Sequence, residues 1–181
     1  MSAVFADTFY WIALTNRRDS AHRAVMEQTR RLAPRSVVTS DEVLTEFLAF
    51  CASDTLLRSA AGRAVNALLN DPDIRVLPQS RSSFLDGLAL YNSRRDKGYS
   101  LTDCISMQVM RREGLTDVLT NDRHFEQEGF RRCSRMREPR LGGYGKSAQR
   151  GLPARVTTSP SGSRAAAGHF PRCRATRRDE I

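Results

Sequence analysis

Four acidic residues stand where a folded chain could bring their carboxylates together: Asp7, Glu46, Asp103 and Asp122. Carboxylates crowded into one pocket cannot all stay ionised unaided, so either protons or cations must sit among them. Oxygen donors without a cysteine or histidine partner select hard ions, Mg²⁺ first and Mn²⁺ second. Mg²⁺ held by a few carboxylates keeps several waters and typically meets substrate phosphates. Such an ion activates a water and stabilises charge on the phosphate and the leaving oxygen. With two ions bound, this is two-metal phosphoryl hydrolysis. Cations would also remove the repulsion between an acidic pocket and a polyanion. Thr102, Thr120 and Asn121 lie nearby in the chain and could orient water or phosphate without adding charge.

Each acid has an ordinary reading when taken alone. Asp7 could cap the apolar turn TFYWIAL. Glu46 sits just off the edge of an apolar arc formed by Val43, Leu44, Phe47, Leu48, Phe50 and Cys51, where a solvated glutamate is common. Ser100-x-x-Asp103 has the form of a capping box with Asp in place of Glu. Against that last reading, the helix that follows Asp103 is apolar nearly all round and should be buried, and a buried carboxylate needs a partner or a metal. Positions 106 and 107 carry Ser and Met, so no cation is supplied one turn on.

The elements that must position these acids alternate between strand and helix. Ala3-Val4-Phe5-Ala6 suits a buried strand, and Val37-Val38-Thr39, Ile74 to Pro78 (closed by the proline) and Asp117 to Thr120 are three more. Helices are expected over 19–32, from the Thr39-x-x-Glu42 capping box onward, over 55–69, over 80–97 and from 100 to the glycine stop at Gly114. The helix over 55–69 should turn Leu56, Leu57, Ala60, Ala64, Ala67 and Leu68 inward. The helix over 80–97 should bury Phe84, Leu88 and Tyr91 and end at Gly98. His22 reads as a surface or boundary histidine, and Phe125 and Phe130 should pack beneath the turn after Asp122.

Strands alternating with helices imply a parallel sheet covered on both faces. Strand C-termini then share one edge, which is the binding edge. Asp7 and Asp122 follow strands there. Helix N-termini return to the same edge, which brings Asp103 in a first turn and Glu46 in a second. Asp117 begins its strand at the opposite edge and is excluded.

The chain has 181 residues and a net charge of +9, but the charge is unevenly placed. Residues 1–133 carry 18 basic and 17 acidic residues, and residues 134–181 carry 11 and 3. We therefore divide the chain into a folded domain over 1–133 and an Arg/Gly/Ser/Pro-rich tail over 134–181 that reads as disordered. The tail could contact nucleic acid without sequence preference, or it could be an unselected extension of the reading frame. Cys51, Cys104, Cys133 and Cys173 show no CxxC spacing, which argues against zinc or a disulfide framework and for reduced thiols. No apolar run suits a bilayer span and no signal peptide is visible, so a cytoplasmic protein is expected.

At VFADTFYWIAL around Asp7, TSDEVLTEF around Glu46, SLTDCISM around Asp103 and LTNDRHFEQEGF around Asp122, the sequence resembles the PIN-domain ribonucleases, in particular the VapC-type toxins of prokaryotic toxin–antitoxin pairs. The resemblance covers about residues 3–133. It implies a three-layer α/β/α sandwich with a short parallel sheet, and Mg²⁺-dependent endoribonuclease activity on RNA. It also implies a homodimer, neutralisation by a small antitoxin, and a metal site made of Asp7, Glu46, Asp103 and Asp122. The basic tail has no counterpart in that pattern. Two alternatives stay open: a PIN nuclease of RNA processing without an antitoxin, and a catalytically inactive α/β interaction module.

Overall fold

The computed structural model describes residues 3–32 and 36–133. The tail expected over 134–181, with Cys173, lies outside the described residues.

Five parallel strands form one sheet in the order β3-β2-β1-β4-β5. These are β1 (Val4–Ala6), β2 (Val37–Ser40), β3 (Ile74–Leu77), β4 (Asp117–Leu119) and β5 (Arg131–Arg132). Between them run α1 (Thr8–Thr15), α2 (His22–Leu32), α3 (Asp41–Cys51), α4 (Thr55–Leu68), α5 (Arg81–Ser93), α6 (Leu101–Arg112) and the single turn α7 (His124–Gln127). The chain lays down β1, β2 and β3 outward in one direction, then crosses back to place β4 on the free side of β1. Right-handed crossovers taken in opposite directions put helices on both faces, so the architecture is the expected α/β/α sandwich.

The central strands are buried on both faces, as their unbroken apolar runs require. Val4, Phe5, Ala6 and Val118 are fully buried, and Leu119 is nearly so. Register sets Ala6 beside Leu119, which leaves the next residues, Asp7 and Thr120, side by side at the strand ends. The Asp7 amide confirms this placement by donating to the Leu119 carbonyl. Thr39 Oγ1 donates to the Ala6 carbonyl and accepts from Trp11 Nε1, so β2 and α1 are pinned to the same corner.

Helix α6 is buried along most of its length through Cys104, Ile105, Ser106, Met107, Val109 and Met110. It packs closely on α5 because Gly87 has no side chain. A Cβ there would stand 2.3 Å from Ile105 Cγ1 and 3.0 Å from the Ile105 backbone. Gly114 ends the turn after α6 at φ +65, a conformation other residues rarely adopt. Beneath the last turn, Phe125 and Phe130 meet edge to face at 6.2 Å.

Several local expectations are corrected. Thr39 is the third residue of β2, so the Thr39–Glu42 capping box does not form. Ser40 occupies the N-cap, and Glu42 instead accepts from Ser83 Oγ. Leu48 and Phe50 of α3 are exposed. In α4 it is Ala61 that is fully buried, while Leu56 is largely in solvent. Helix α5 ends at Ser93, before Gly98, and buries Ser83, Gly87 and Leu90 rather than Tyr91. Strand β5 was not expected. Two arginines give it no apolar signature, and it is held by main-chain pairing to β4 and by the ion pair of Arg131 with buried Asp117.

Candidate metal centre

The strand order reverses between β1 and β4, and the crevice at their C-terminal ends is the switch point where doubly wound sheets bind ligands. Asp7 enters it directly after β1. Thr120 and Asp122 enter it after β4. The N-terminus of α6 brings Asp103, and the second turn of α3 brings Glu46.

Asp7 is 5% exposed. Its backbone holds the N-cap position of α1, but its side chain makes no capping bond. Oδ2 accepts instead from Thr120 Oγ1 at 2.9 Å, and Oδ1 is buried with no hydrogen-bond partner. Burial is the largest influence on its acidity, followed by the charge of Asp103. Together they push its pKa from 3.8 up to about 7. The helix-cap reading of Asp7 thus gives way to that of an inward-facing carboxylate missing a partner.

Asp103 keeps both of its sequence readings. Ser100 and Asp103 do form a reciprocal capping box, with Ser100 N donating to Asp103 Oδ2 at 2.8 Å and Asp103 N donating to Ser100 Oγ at 3.0 Å. The cap uses one carboxylate oxygen and fixes the direction of the group. Burial raises the Asp103 pKa, the Ser100 amide opposes the rise, and the charges of Asp122 and Glu46 add to it. Glu46 is half-buried, and its Oε2 accepts from Thr8 Oγ1 at 2.5 Å, in the first residue of α1. This tether, and the charge that Glu46 adds at both Asp7 and Asp103, separates it from the solvated glutamate its helix alone suggested.

Asp122 sits in a turn built around Thr120. The Asp122 amide donates to Thr120 Oγ1 at 3.0 Å, and Asp122 Oδ1 accepts from the His124 amide at 2.8 Å. Thr120 therefore holds Asp7 with its proton and Asp122 with its lone pair. Asp117, at the other end of β4, is engaged by Arg131.

The closest grouping also contains a residue the sequence reading left out. Asp103, Asp122 and His124 each offer a ligand atom, and these atoms lie within 4.8 Å of one another. His124 Nδ1 is 3.0 Å from Asp122 Oδ2 and 3.9 Å from Asp103 Oδ2. Asp7 and Glu46 are not members of that tightest set; they join it through the mutual effect of their charges. The visible signal for His124 was its place two residues after Asp122, within the same turn.

A divalent cation fits this donor set. Asp7 carries an unsatisfied buried oxygen, and burial together with neighbouring like charges raises the pKa of both Asp7 and Asp103. Apart from His124, the donors are the hard oxygens that Mg²⁺ and Mn²⁺ take.

Fold and site together define a doubly wound α/β protein with an acidic centre at its switch point. The family model for the PIN domain matches residues 4–130, and the chain belongs to that family. Twelve chains of known structure match. One is the crystal structure of Mycobacterium tuberculosis VapC20, described as a Sarcin-Ricin loop cleaving toxin. It is 26% identical, with 71% of this chain and 96% of that chain covered and a TM-score of 0.65. Among curated proteins, none matches the chain. No described helix is long and apolar enough to cross a membrane.

Proposed function

We propose that this protein is a metal-dependent endoribonuclease, the toxin of a type II toxin–antitoxin pair, which hydrolyses RNA phosphodiester bonds in the cytoplasm. The observation that carries the reading is the convergence of four acids on one crevice, with one oxygen of buried Asp7 left without a partner. Membership of the PIN family and the likeness to VapC20 support nuclease chemistry and an RNA substrate. On this reading a small antitoxin neutralises the protein, which works as a homodimer. The domain is residues 1–133, with 134–181 as an appended basic tail.

Asp7, Glu46, Asp103 and Asp122 would hold the ion, Mg²⁺ or Mn²⁺. Bound there, it would supply a water acidified for attack and positive charge for the phosphate and leaving oxygen. The chain's own residues do the rest. Thr120 keeps Asp7 and Asp122 in fixed relation. The Ser100 cap fixes Asp103, and Thr8 restrains Glu46. Asp7 must lose its proton to act as a donor, so burial and the charge of Asp103 make its participation sensitive to pH near neutrality. The dry walls around Asp7 lower the local dielectric and strengthen every charge interaction in the crevice.

Inducible expression of the wild type, Asp7→Asn and Asp103→Asn, with cellular RNA mapped for new ends, tests the proposal. Growth arrest and new ends are expected from the wild type alone. Arrest that persists in both variants would defeat the nuclease reading. A small reading frame directly upstream, whose product binds this protein, would separate a toxin from a PIN nuclease of RNA processing.

A further inference from the structure

We propose that His124 is itself a ligand of the divalent ion through Nδ1, and that this nitrogen biases the centre toward a first-row transition cation such as Mn²⁺ over Mg²⁺. The inference rests on the reading of the crevice as a metal centre and adds a donor of a different kind to it.

The geometry supplies the argument. His124 Nδ1 lies 3.0 Å from Asp122 Oδ2, yet the two are not aligned for a hydrogen bond, and Nδ1 is buried without a hydrogen-bond partner. Two ligand atoms 3.0 Å apart have the spacing of neighbouring donors on one cation whose bonds are about 2.1 Å long. Asp103 offers an oxygen to the same point. A second orphan, Asp7 Oδ1, lies on a side chain that is itself almost wholly buried.

The imidazole is also held in place from behind by ring packing. The Tyr99 ring lies against the His124 ring with centroids 4.8 Å apart. The Tyr99 hydroxyl proton is shared between Glu128 Oε1 at 3.2 Å and Gln127 Oε1 at 3.3 Å. Glu128 is gripped in turn by Arg94 and Arg111 at 2.8 and 2.6 Å. On the near side, the His124 amide is tied to Asp122 Oδ1. The ring is therefore fixed by contacts on both sides, with Nδ1 toward the carboxylates.

The consequence for the ion follows from donor chemistry. Mg²⁺ demands near-ideal octahedral oxygen coordination and gives up water reluctantly. Imidazole suits softer divalent ions, whose affinities for mixed nitrogen and oxygen sites rise from Mn²⁺ upward. Exchanging an oxygen donor for Nδ1 therefore costs Mg²⁺ binding more than Mn²⁺ binding.

Pulsed electron paramagnetic resonance of the full chain loaded with Mn²⁺ tests this. The chain has three histidines, so the spectrum is recorded in a His22→Gln, His169→Gln background in which His124 is the only one. The proposal predicts modulation from a coordinated ¹⁴N that converts to ¹⁵N on histidine labelling. It also predicts that His124→Gln abolishes this modulation and weakens Mn²⁺ binding by calorimetry about tenfold or more, with Mg²⁺ binding changed far less. Because the labelling comparison leaves His124 intact, it stands even if His124→Gln does not fold. Mn²⁺ bound without nitrogen modulation would show His124 to be only an ion-pair partner of Asp122. That result overturns this inference and leaves the carboxylate centre standing. Failure to bind Mn²⁺ at all would overturn both.

Discussion

Thr120 Oγ1 donates its proton to Asp7 Oδ2 at 2.9 Å, across 113 positions of sequence, and itself accepts from the Asp122 amide. One buried hydroxyl thus sets the spacing between the acids that follow β1 and β4. Thr120→Val keeps the volume but takes from Asp7 the hydroxyl that donates to Oδ2 and from Asp122 the oxygen that anchors its amide. We expect divalent-ion affinity to fall roughly 10- to 100-fold by calorimetry, the range for loss of a group that orients ligands. Thr120→Ser retains the hydroxyl and should stay close to wild type. Undiminished affinity in Thr120→Val together with a loss in Thr120→Ser would show that the methyl packing matters and the hydroxyl does not.

Asp7 makes the metal-free protein pay for its own carboxylate as pH rises. Its folded-state pKa is raised from 3.8 to about 7, so between those values the folded chain binds more protons than the unfolded one. Stability in chelator should therefore decline from about pH 4 to about pH 7 and stay low above it. Asp7→Asn removes the charge, so in chelator its melting temperature should exceed that of wild type at pH 8. The underlying difference in stability, on the order of a few kcal/mol, should narrow as pH falls toward 4. Adding Mn²⁺ should raise the wild-type melting temperature and leave Asp7→Asn little changed. Thermal melts at several pH values, with and without the ion, decide this.

Gly87→Ala probes how α6 is seated. The added Cβ would meet Ile105 Cγ1 at 2.3 Å and the Ile105 backbone at 3.0 Å, and the backbone cannot step aside without moving Asp103, two residues earlier. Overpacking of this kind costs about 1–3 kcal/mol. The variant should melt earlier and bind the divalent ion more weakly. Gly62→Ala serves as the control, because a Cβ there meets nothing within 4 Å.

Much of this was legible in the sequence because two simple signals agreed. Buried parallel strands show as short apolar runs, and the residue after each run must lie at the binding edge; that placed Asp7 and Asp122 and excluded Asp117. The capping motif at Ser100 was equally visible, although cap and inward-facing acid turned out to be one and the same side chain. Helix faces were less legible. Alanine and leucine surround α4 on most sides, so spacing could not choose Ala61 over Leu56. Strand β5 is invisible because its stability comes from main-chain bonds to β4 and from the Arg131–Asp117 pair, which link distant residues. His124 was missed because a polar residue in an acidic turn has no periodicity. Only the fold of that turn aims its ring at Asp103 and Asp122.

The central claim is that the converged carboxylates hold an ion that cuts RNA. Its most direct test is cleavage of a defined RNA by the purified full chain, after chelation and then with Mg²⁺ or Mn²⁺ restored. The account predicts no cleavage in chelator, internal cuts on adding either ion, and loss of at least about 100-fold in rate for Asp103→Asn at equal folded protein, as for removal of an essential electrostatic group. Cleavage that survives chelation, or that Asp103→Asn retains undiminished, would contradict it.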